Sequence, residues 1–328
     1  MGQETIVGVL KKAIAEGTLS QAYLFSGSRG TGKTTMARIV ARAAGAGTED
    51  TYEIDAASYT GVDNIRELRE AAYVLPLVSQ KKVYIIDEVH TLSKGAFNAL
   101  LQILEEPPAH VHFILATTEL HKVPDTILSR CQHFQFKKPS EEVLAKFAIA
   151  IAKSEGYTIA HDAAELIATL GEGSYRDTLT ILQQVLTSAE DKGIERPHVE
   201  GVTGAPRSEL VHALAAAIAA RDLDTALAAV GEASREHIEM KVLTKLLIRV
   251  VRQALLVALS PTMKKGLQTE LEPKRFAFLE SLTKEQPARD ILPKALAELL
   301  LAYEQMGSTP VPQLPLELAL VRLLSQTK

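Results

Sequence analysis

The chain has almost no cysteine: Cys131 is the single one in 328 residues. That excludes an intramolecular disulfide and a cysteine zinc cluster. No apolar run reaches the roughly 18 residues of a membrane span, and no signal peptide is evident. Charge of one sign is not in excess either, since the formal net charge is −4. The first 140 residues carry as many Lys and Arg as Asp and Glu, so the surplus acid lies in 141–328. No global basic field announces nucleic acid, and any such contact must be a local patch. Internal repeats and low-complexity tails are missing. Tryptophan is absent too, which excludes nothing. What remains predicts a cytoplasmic enzyme of ordinary globular composition, helix-rich because Ala and Leu dominate. The length fits two or three domains.

The strongest positive feature is Gly27-Ser28-Arg29-Gly30-Thr31-Gly32-Lys33-Thr34, which fits G-x-x-x-x-G-K-[ST]. Ala22–Phe25 before it reads as an apolar strand. Thr35 to Ala44 after it reads as a helix, with Met36, Ile39, Val40 and Ala43 at helical spacing. Glycines let the backbone wrap phosphate oxygens, and the helix N-terminus favours the anion. Lys33 is expected to reach the β- and γ-phosphates of ATP, and Thr34 to hold Mg²⁺. Thr35 completes the candidate binding set.

Residues 1–139 alternate strand-like and helix-like patterns. Strands are expected at Ala22–Ser26, Tyr52–Asp55, Lys82–Asp87, Val111–Thr117 and His133–Phe136. Helices are expected at Glu4–Ala15, Val62–Tyr73 and Gly95–Glu105. This predicts a parallel sheet with helices on both faces and a ligand beyond the strands' carboxyl ends. Ser140 with Glu141 and Glu142 starts a second segment, 140–205, of three helices near 141–154, 161–169 and 175–190. Residues 206–328 read as a further all-helical domain, with helices at 207–220, 222–235, 238–259, 270–283, 288–306 and 314–326. Pro261, Pro273 and Pro287 are taken there as breakers.

Val83–Glu88 is an apolar strand closed by two carboxylates. Some fifty residues after a phosphate loop, Asp87 is expected to serve Mg²⁺ and Glu88 to orient and deprotonate the attacking water. Thr117 and Thr118 close another strand, where a hydroxyl either holds water or is a β-propensity pair. Arg130 reads either as a finger for a neighbour's nucleotide or as an ordinary exposed arginine. Arg176 reads either as a γ-phosphate contact or as a solvated residue beside a cap. Arg66 and Arg69 share a helix face and suit a nucleic-acid phosphate contact or a plain charged surface. Cys131 reads as a buried apolar cysteine. His90, His110, His112, His121 and His133 match no metal spacing.

Further motifs stand in a telling order. They are Ile54–Ser58, Gly61–Leu68, Tyr84–His90, Leu92–Leu101, Leu104-Glu105-Glu106-Pro107-Pro108, Ala116–Glu119 and Ile127–Gln132. Together they resemble the AAA+ clamp-loader ATPases of the gamma/tau family of bacterial DNA polymerase III, densely from about residue 2 to 190 and faintly beyond 205. The resemblance implies an α/β P-loop AAA+ domain, a three-helix lid and an all-α collar. It implies a hetero-oligomeric ring with copies of itself and with delta and delta-prime subunits. That ring would load the β sliding clamp on primed DNA at the expense of ATP. It assigns Asp87 and Glu88 as the acidic pair, Thr118 or Thr117 as the first sensor, Arg130 as the trans finger and Arg176 as the second sensor.

The chain departs from that family at three places. Ala44–Thr51 stands where relatives carry a four-cysteine zinc module, so no zinc is expected. An N-terminal basic segment that helps hold adenine is missing before Met1, which leaves the base pocket short. Extensions after the collar are also lacking, which fits a short, gamma-like form. Two alternatives stay open: a non-hydrolysing structural clamp-loader subunit, and another AAA+ DNA motor such as a branch-migration helicase.

Overall fold

A computed structural model describes residues 2–284 and 286–325. The chain divides into two compact units. One runs to Thr187 and takes in Asp191–Gly193; the other comprises Ser188–Glu190 and everything from Ile194 onward. This division is coarser than the three segments expected from sequence. The boundary near 139 therefore remains a proposal about how the first unit is built.

The first unit strings α1 (Glu4–Glu16), β1 (Ala22–Ser26), α2 (Lys33–Ala43), β2 (Thr51–Asp55), α3 (Val62–Tyr73), β3 (Lys82–Asp87) and α4 (Lys94–Glu105). Then come β4 (Val111–Thr117), α5 (Asp125–Leu128), β5 (Gln132–Gln135), α6 (Glu141–Ser154), α7 (His161–Leu170) and α8 (Tyr175–Thr187). The five strands form one parallel sheet in the order β2-β3-β4-β1-β5.

Alternation along the strands explains why helices cover both faces. Leu24, Tyr84, Ile86, Phe113 and Leu115 face a cluster with Ile65 and Leu68 of α3 and Leu100 and Ile103 of α4. Their neighbours Tyr23, Phe25, Val83, Ile85 and Ile114 face the opposite cluster, with Leu10 of α1 and Val40 of α2. Phe113 and Phe25 are fully buried, each contributing roughly 1.5–3 kcal/mol of transfer free energy. Helix starts follow side-chain caps: Ser93 accepts from Ala96 N at 3.2 Å and Ser140 from Val143 N at 3.3 Å.

At the end of the Ala44–Thr51 segment, Asp50 is buried and accepts from three backbone N–H groups. Leu77, Val78 and Ser79 donate at 2.6, 3.0 and 2.7 Å. These hydrogen bonds hold its carboxyl down at about 2, against the opposing effect of burial.

The second unit is helical: α9 (Arg196–Thr203), α10 (Ser208–Ala220), α11 (Leu223–Arg235), α12 (Met240–Leu259), α13 (Pro261–Glu270), α14 (Pro273–Ser281), α15 (Gln286–Gln305) and α16 (Leu314–Leu324). Two of these helices differ from expectation. The sequence pattern places three helices in 140–205 and none at 196–203, where α9 forms. The sequence pattern makes Pro261 a breaker and places no helix at 261–269, where α13 forms. Pro261 instead sits in the first turn of α13, where its missing N–H costs nothing. Leu243, Leu247, Val251, Leu292 and Leu316 are fully buried in this unit. Among the described residues no helix is long and apolar enough to cross a membrane.

Candidate nucleotide-binding site

The parallel sheet puts the carboxyl ends of β3, β4 and β1 side by side. Ser26 pairs with Thr117, and Asp55 with Asp87. The Gly27–Gly32 loop leaves β1 and opens α2. Gly27, Gly30 and Gly32 have φ of 147°, 73° and 97°, a region that L side chains rarely adopt. Neighbours enforce two of them. A Cβ on Gly27 would stand 2.4 Å from Phe136 O, and one on Gly30 would run into Ser174 Oγ. No side chain caps α2 at Gly32, which leaves its first-turn N–H donors for an anion.

Lys33 is 6% exposed, and its Nζ donates to Gly27 O at 2.8 Å and Ser28 O at 3.0 Å. Burial pulls its pKa down, the charges of Glu88 and Asp87 pull it back up, and Arg176 lowers it again. Thr31 Oγ1 donates to Ser28 O at 2.8 Å and closes the loop from inside. Thr34 Oγ1 donates to Asp87 Oδ2 at 2.7 Å. A hydroxyl and a carboxylate meeting beside a phosphate loop are the hard oxygen donors that Mg²⁺ prefers. The donor set fits that ion.

Glu88 lies in the left-handed region, with φ 48°. For a residue with a side chain this costs roughly 1–2 kcal/mol, and such strain concentrates at functional sites. Its Oε2 accepts from Thr118 Oγ1 at 2.9 Å and Thr118 N at 3.2 Å. His90 Nδ1 stands 3.4 Å from the same oxygen and 3.0 Å from Thr117 Oγ1. Thr117 Oγ1 also accepts from Glu119 N at 3.0 Å. Both threonines of the strand end are therefore engaged, Thr118 with Glu88 itself and Thr117 behind it.

A cleft of 720 Å³ opens over this floor, within the usual size of small-ligand sites. Arg29, Gly30, Gly32, Lys33, Thr34, Thr35, Asp87 and Glu88 line one side, and Tyr175, Arg176 and Leu179 of α8 line the other. A backbone hydrogen bond from Tyr175 N to Gly30 O, 2.9 Å, joins α8 to the loop. Arg38 and Glu53 form a two-point ion pair at 2.6 and 2.7 Å and also wall the cleft.

Arg130 is elsewhere. Its Nη2 donates to Glu105 Oε1 at 2.6 Å and its Nη1 to Thr126 O at 2.8 Å. Burial pushes the neighbouring Cys131 thiol up to about 12, so it stays protonated and inert. Arg66 pairs with Asp63 at 3.0 Å, and Arg69 donates to Gln102.

Sequence spacing points to Lys33, Thr34, Asp87, Glu88, Thr118 and Arg176; the fold lines one cleft with five of them, and Thr118 reaches it through its hydrogen bond to Glu88. The spacing does not single out His90, Ser174 or Tyr175. His90 follows Glu88 by two positions, the one signal that was available.

Between them, the strand order and the loop-to-helix phosphate cradle define a P-loop AAA+ module followed by helices. Solved structures agree on the fold: the Holliday junction branch migration motor RuvB of Thermotoga maritima superposes with a TM-score of 0.52. It shares 20% identity over 66% of this chain and 76% of that one.

Sequence relatives narrow the class. The family model described as DNA polymerase III, delta subunit, matches residues 49–140. The DNA polymerase III subunit tau of Bacillus subtilis (strain 168) is 35% identical across 98% of this chain and 60% of that protein. The tau subunit of Escherichia coli (strain K12) is 32% identical across 99% of this chain and 53% of that protein. A gamma/tau subunit of Mycoplasma pneumoniae is 40% identical across 61% of this chain and 32% of the relative. The chain is thus a homologue of the gamma/tau subunits of bacterial DNA polymerase III. It spans 60% or less of the length of these relatives.

Proposed function

We propose that this chain is an ATP-hydrolysing subunit of a replicative clamp loader, which uses ATP binding and hydrolysis to load a sliding clamp on primed DNA. The observation that carries the reading is a division of labour. Phosphate loop, acidic pair and Arg176 share one cleft, while Arg130 stands outside it, half-exposed. A hydrolytic site that needs an arginine from elsewhere is built for a ring of subunits.

In this reading ATP lies with its phosphates in the Gly27–Gly32 loop. Thr34 and Asp87 hold Mg²⁺, which when bound supplies charge neutralisation for phosphoryl transfer. Lys33 exchanges two carbonyl partners for phosphate oxygens. Glu88 leaves Thr118 to orient and deprotonate the attacking water, and Arg176 reports the γ-phosphate to the lid segment 140–205. Arg130 acts on the neighbour's nucleotide.

The ring would contain copies of this chain with delta and delta-prime subunits, in the cytoplasm, and engage the β clamp. Residues 206–328 would be its collar, an idea supported by Leu314, Leu318 and Val321, exposed along one face of α16.

The testing experiment is ATP hydrolysis by the chain with delta, delta-prime and β clamp, with and without primed DNA. Stimulation by DNA and clamp that Lys33→Ala abolishes supports the motor. Assembly without hydrolysis would make the chain a structural subunit, and strand separation on branched DNA would make it a different motor.

A further inference from the structure

The Leu104-Glu105-Glu106-Pro107-Pro108 segment has no part in the nucleotide cleft. Its geometry is nevertheless tightly specified. Pro107 and Pro108 cannot extend a helix, and α4 stops at Glu105. Pro108 O then accepts from Val111 N at 2.8 Å and from Gln21 Nε2 at 3.3 Å, which fastens the turn to the starts of β4 and β1. Glu105 is thereby fixed in the last turn of α4, where a helix C-terminus disfavours a carboxylate. A carboxylate kept at an unfavourable position calls for a partner, and the partner is Arg130 at 2.6 Å. The other end of the guanidinium is held by Thr126 O at 2.8 Å and Ser129 Oγ at 3.3 Å.

We propose that Glu105 is a positioning residue for Arg130. It holds the guanidinium in one orientation and offsets part of its charge until a neighbouring subunit's nucleotide competes for it. The proposal rests on the reading of Arg130 as a finger acting in trans. Such a finger works by its positive charge. A carboxylate at 2.6 Å engages one edge of the guanidinium and offsets part of that charge. The pair is open to solvent, with side chains 34% and 52% exposed, and exposed pairs are weak. A phosphate brought close by assembly can therefore displace Glu105, whereas solvent anions at a distance are screened.

The test compares assembled rings, with delta, delta-prime and clamp, that carry the wild-type chain, Glu105→Gln, Glu105→Asp, Arg130→Ala or Glu105→Gln with Arg130→Ala. Glutamine keeps size and an acceptor oxygen but removes the charge. Without DNA, Glu105→Gln is expected to raise kcat by about two- to five-fold, the range open to an exposed ion pair. KM for ATP should stay unchanged, and stimulation by primed DNA should shrink. Glu105→Asp should stay near wild type, and Glu105→Gln should have no effect in the Arg130→Ala background. An unchanged or lower rate in Glu105→Gln rings overturns the proposal, as does an equal effect with and without Arg130. Full turnover by Arg130→Ala alone overturns the finger reading instead, and the role of Glu105 with it. ATP affinity of the isolated Glu105→Gln chain, expected at the wild-type value, separates these outcomes from misfolding.

Discussion

Lys33, Asp50 and Lys82 are charged side chains shut inside the first unit, and each is answered by backbone. Lys33 donates to two loop carbonyls, Asp50 accepts from three N–H groups, and Lys82 Nζ donates to Ala71 O at 3.1 Å and Val74 O at 3.0 Å. Among the described residues of the second unit, Glu200 is the buried charge, and side chains lead in answering it: Arg196 Nε donates at 2.7 Å and Ser208 Oγ at 3.1 Å, with Ser208 N at 3.2 Å. Elsewhere its buried residues are mainly leucine, valine and alanine. The first unit thus uses buried charge to fix the phosphate loop at one end of the sheet and the 71–79 segment at the other. The second spends almost everything on apolar packing. The candidate site belongs to the first unit and the larger share of apolar helix packing to the second, and substitutions should separate the two.

The largest expected effect lies at the strand end. Glu88→Gln should lower ATP turnover in the assembled ring by about 10²–10⁴-fold, the usual worth of a positioned general base, while nucleotide binding persists. Normal turnover would remove Glu88 from its role. In the second unit, Leu247→Ala should cost about 2–5 kcal/mol of unfolding free energy through the cavity it leaves. Denaturant melts should report that loss while ATP affinity of the first unit stays put. If ATP binding fell equally, the contrast between the units would collapse.

Lys33→Ala reverses the pattern. Losing charge-assisted hydrogen bonds should weaken ATP binding by roughly a hundredfold, near 3 kcal/mol, and calorimetric titration should find the fold intact. The smallest effect is a pH dependence. Asp50 has its folded pKa held at about 2, below its ordinary value of 3.8. The stability it contributes is present above about pH 4 and lost as pH falls towards 2. Thermal melts of Asp50→Asn should lack that component, and an unchanged acid profile would argue against the carboxylate staple.

Most of the first unit was legible because its signals are local. The bounds expected for β1, β3 and β4 match the structure, since each is an apolar run closed by polar residues. The phosphate loop and the Asp-Glu pair carry their meaning in adjacent residues. The second unit was less legible at its turns. There Pro261 reads equally well as the end of one helix or the beginning of another, and only the tertiary path decides. Through-space relations were not legible at all. Nothing in the spacing of His90 and Thr117 announces that they meet, because β3 and β4 are paired by the sheet and not by sequence. Nor does the order of residues reveal that Glu105 and Arg130, 25 positions apart, share one ion pair.

The hydrogen bond from Tyr175 N to Gly30 O joins the phosphate loop to α8 through main chain alone. Side-chain replacement at position 175 leaves its donor and acceptor in place. A survey that replaces each residue by alanine would therefore read only the Tyr175 ring, packed against Phe147 at the cleft wall, and pass over this strap. It would surface only at Gly30, where any added carbon strikes Ser174, and the defect would then be blamed on the phosphate loop. Side-chain substitution at position 175 reports on the ring and not on the strap, and amide-to-ester replacement of that one bond is the way to see it.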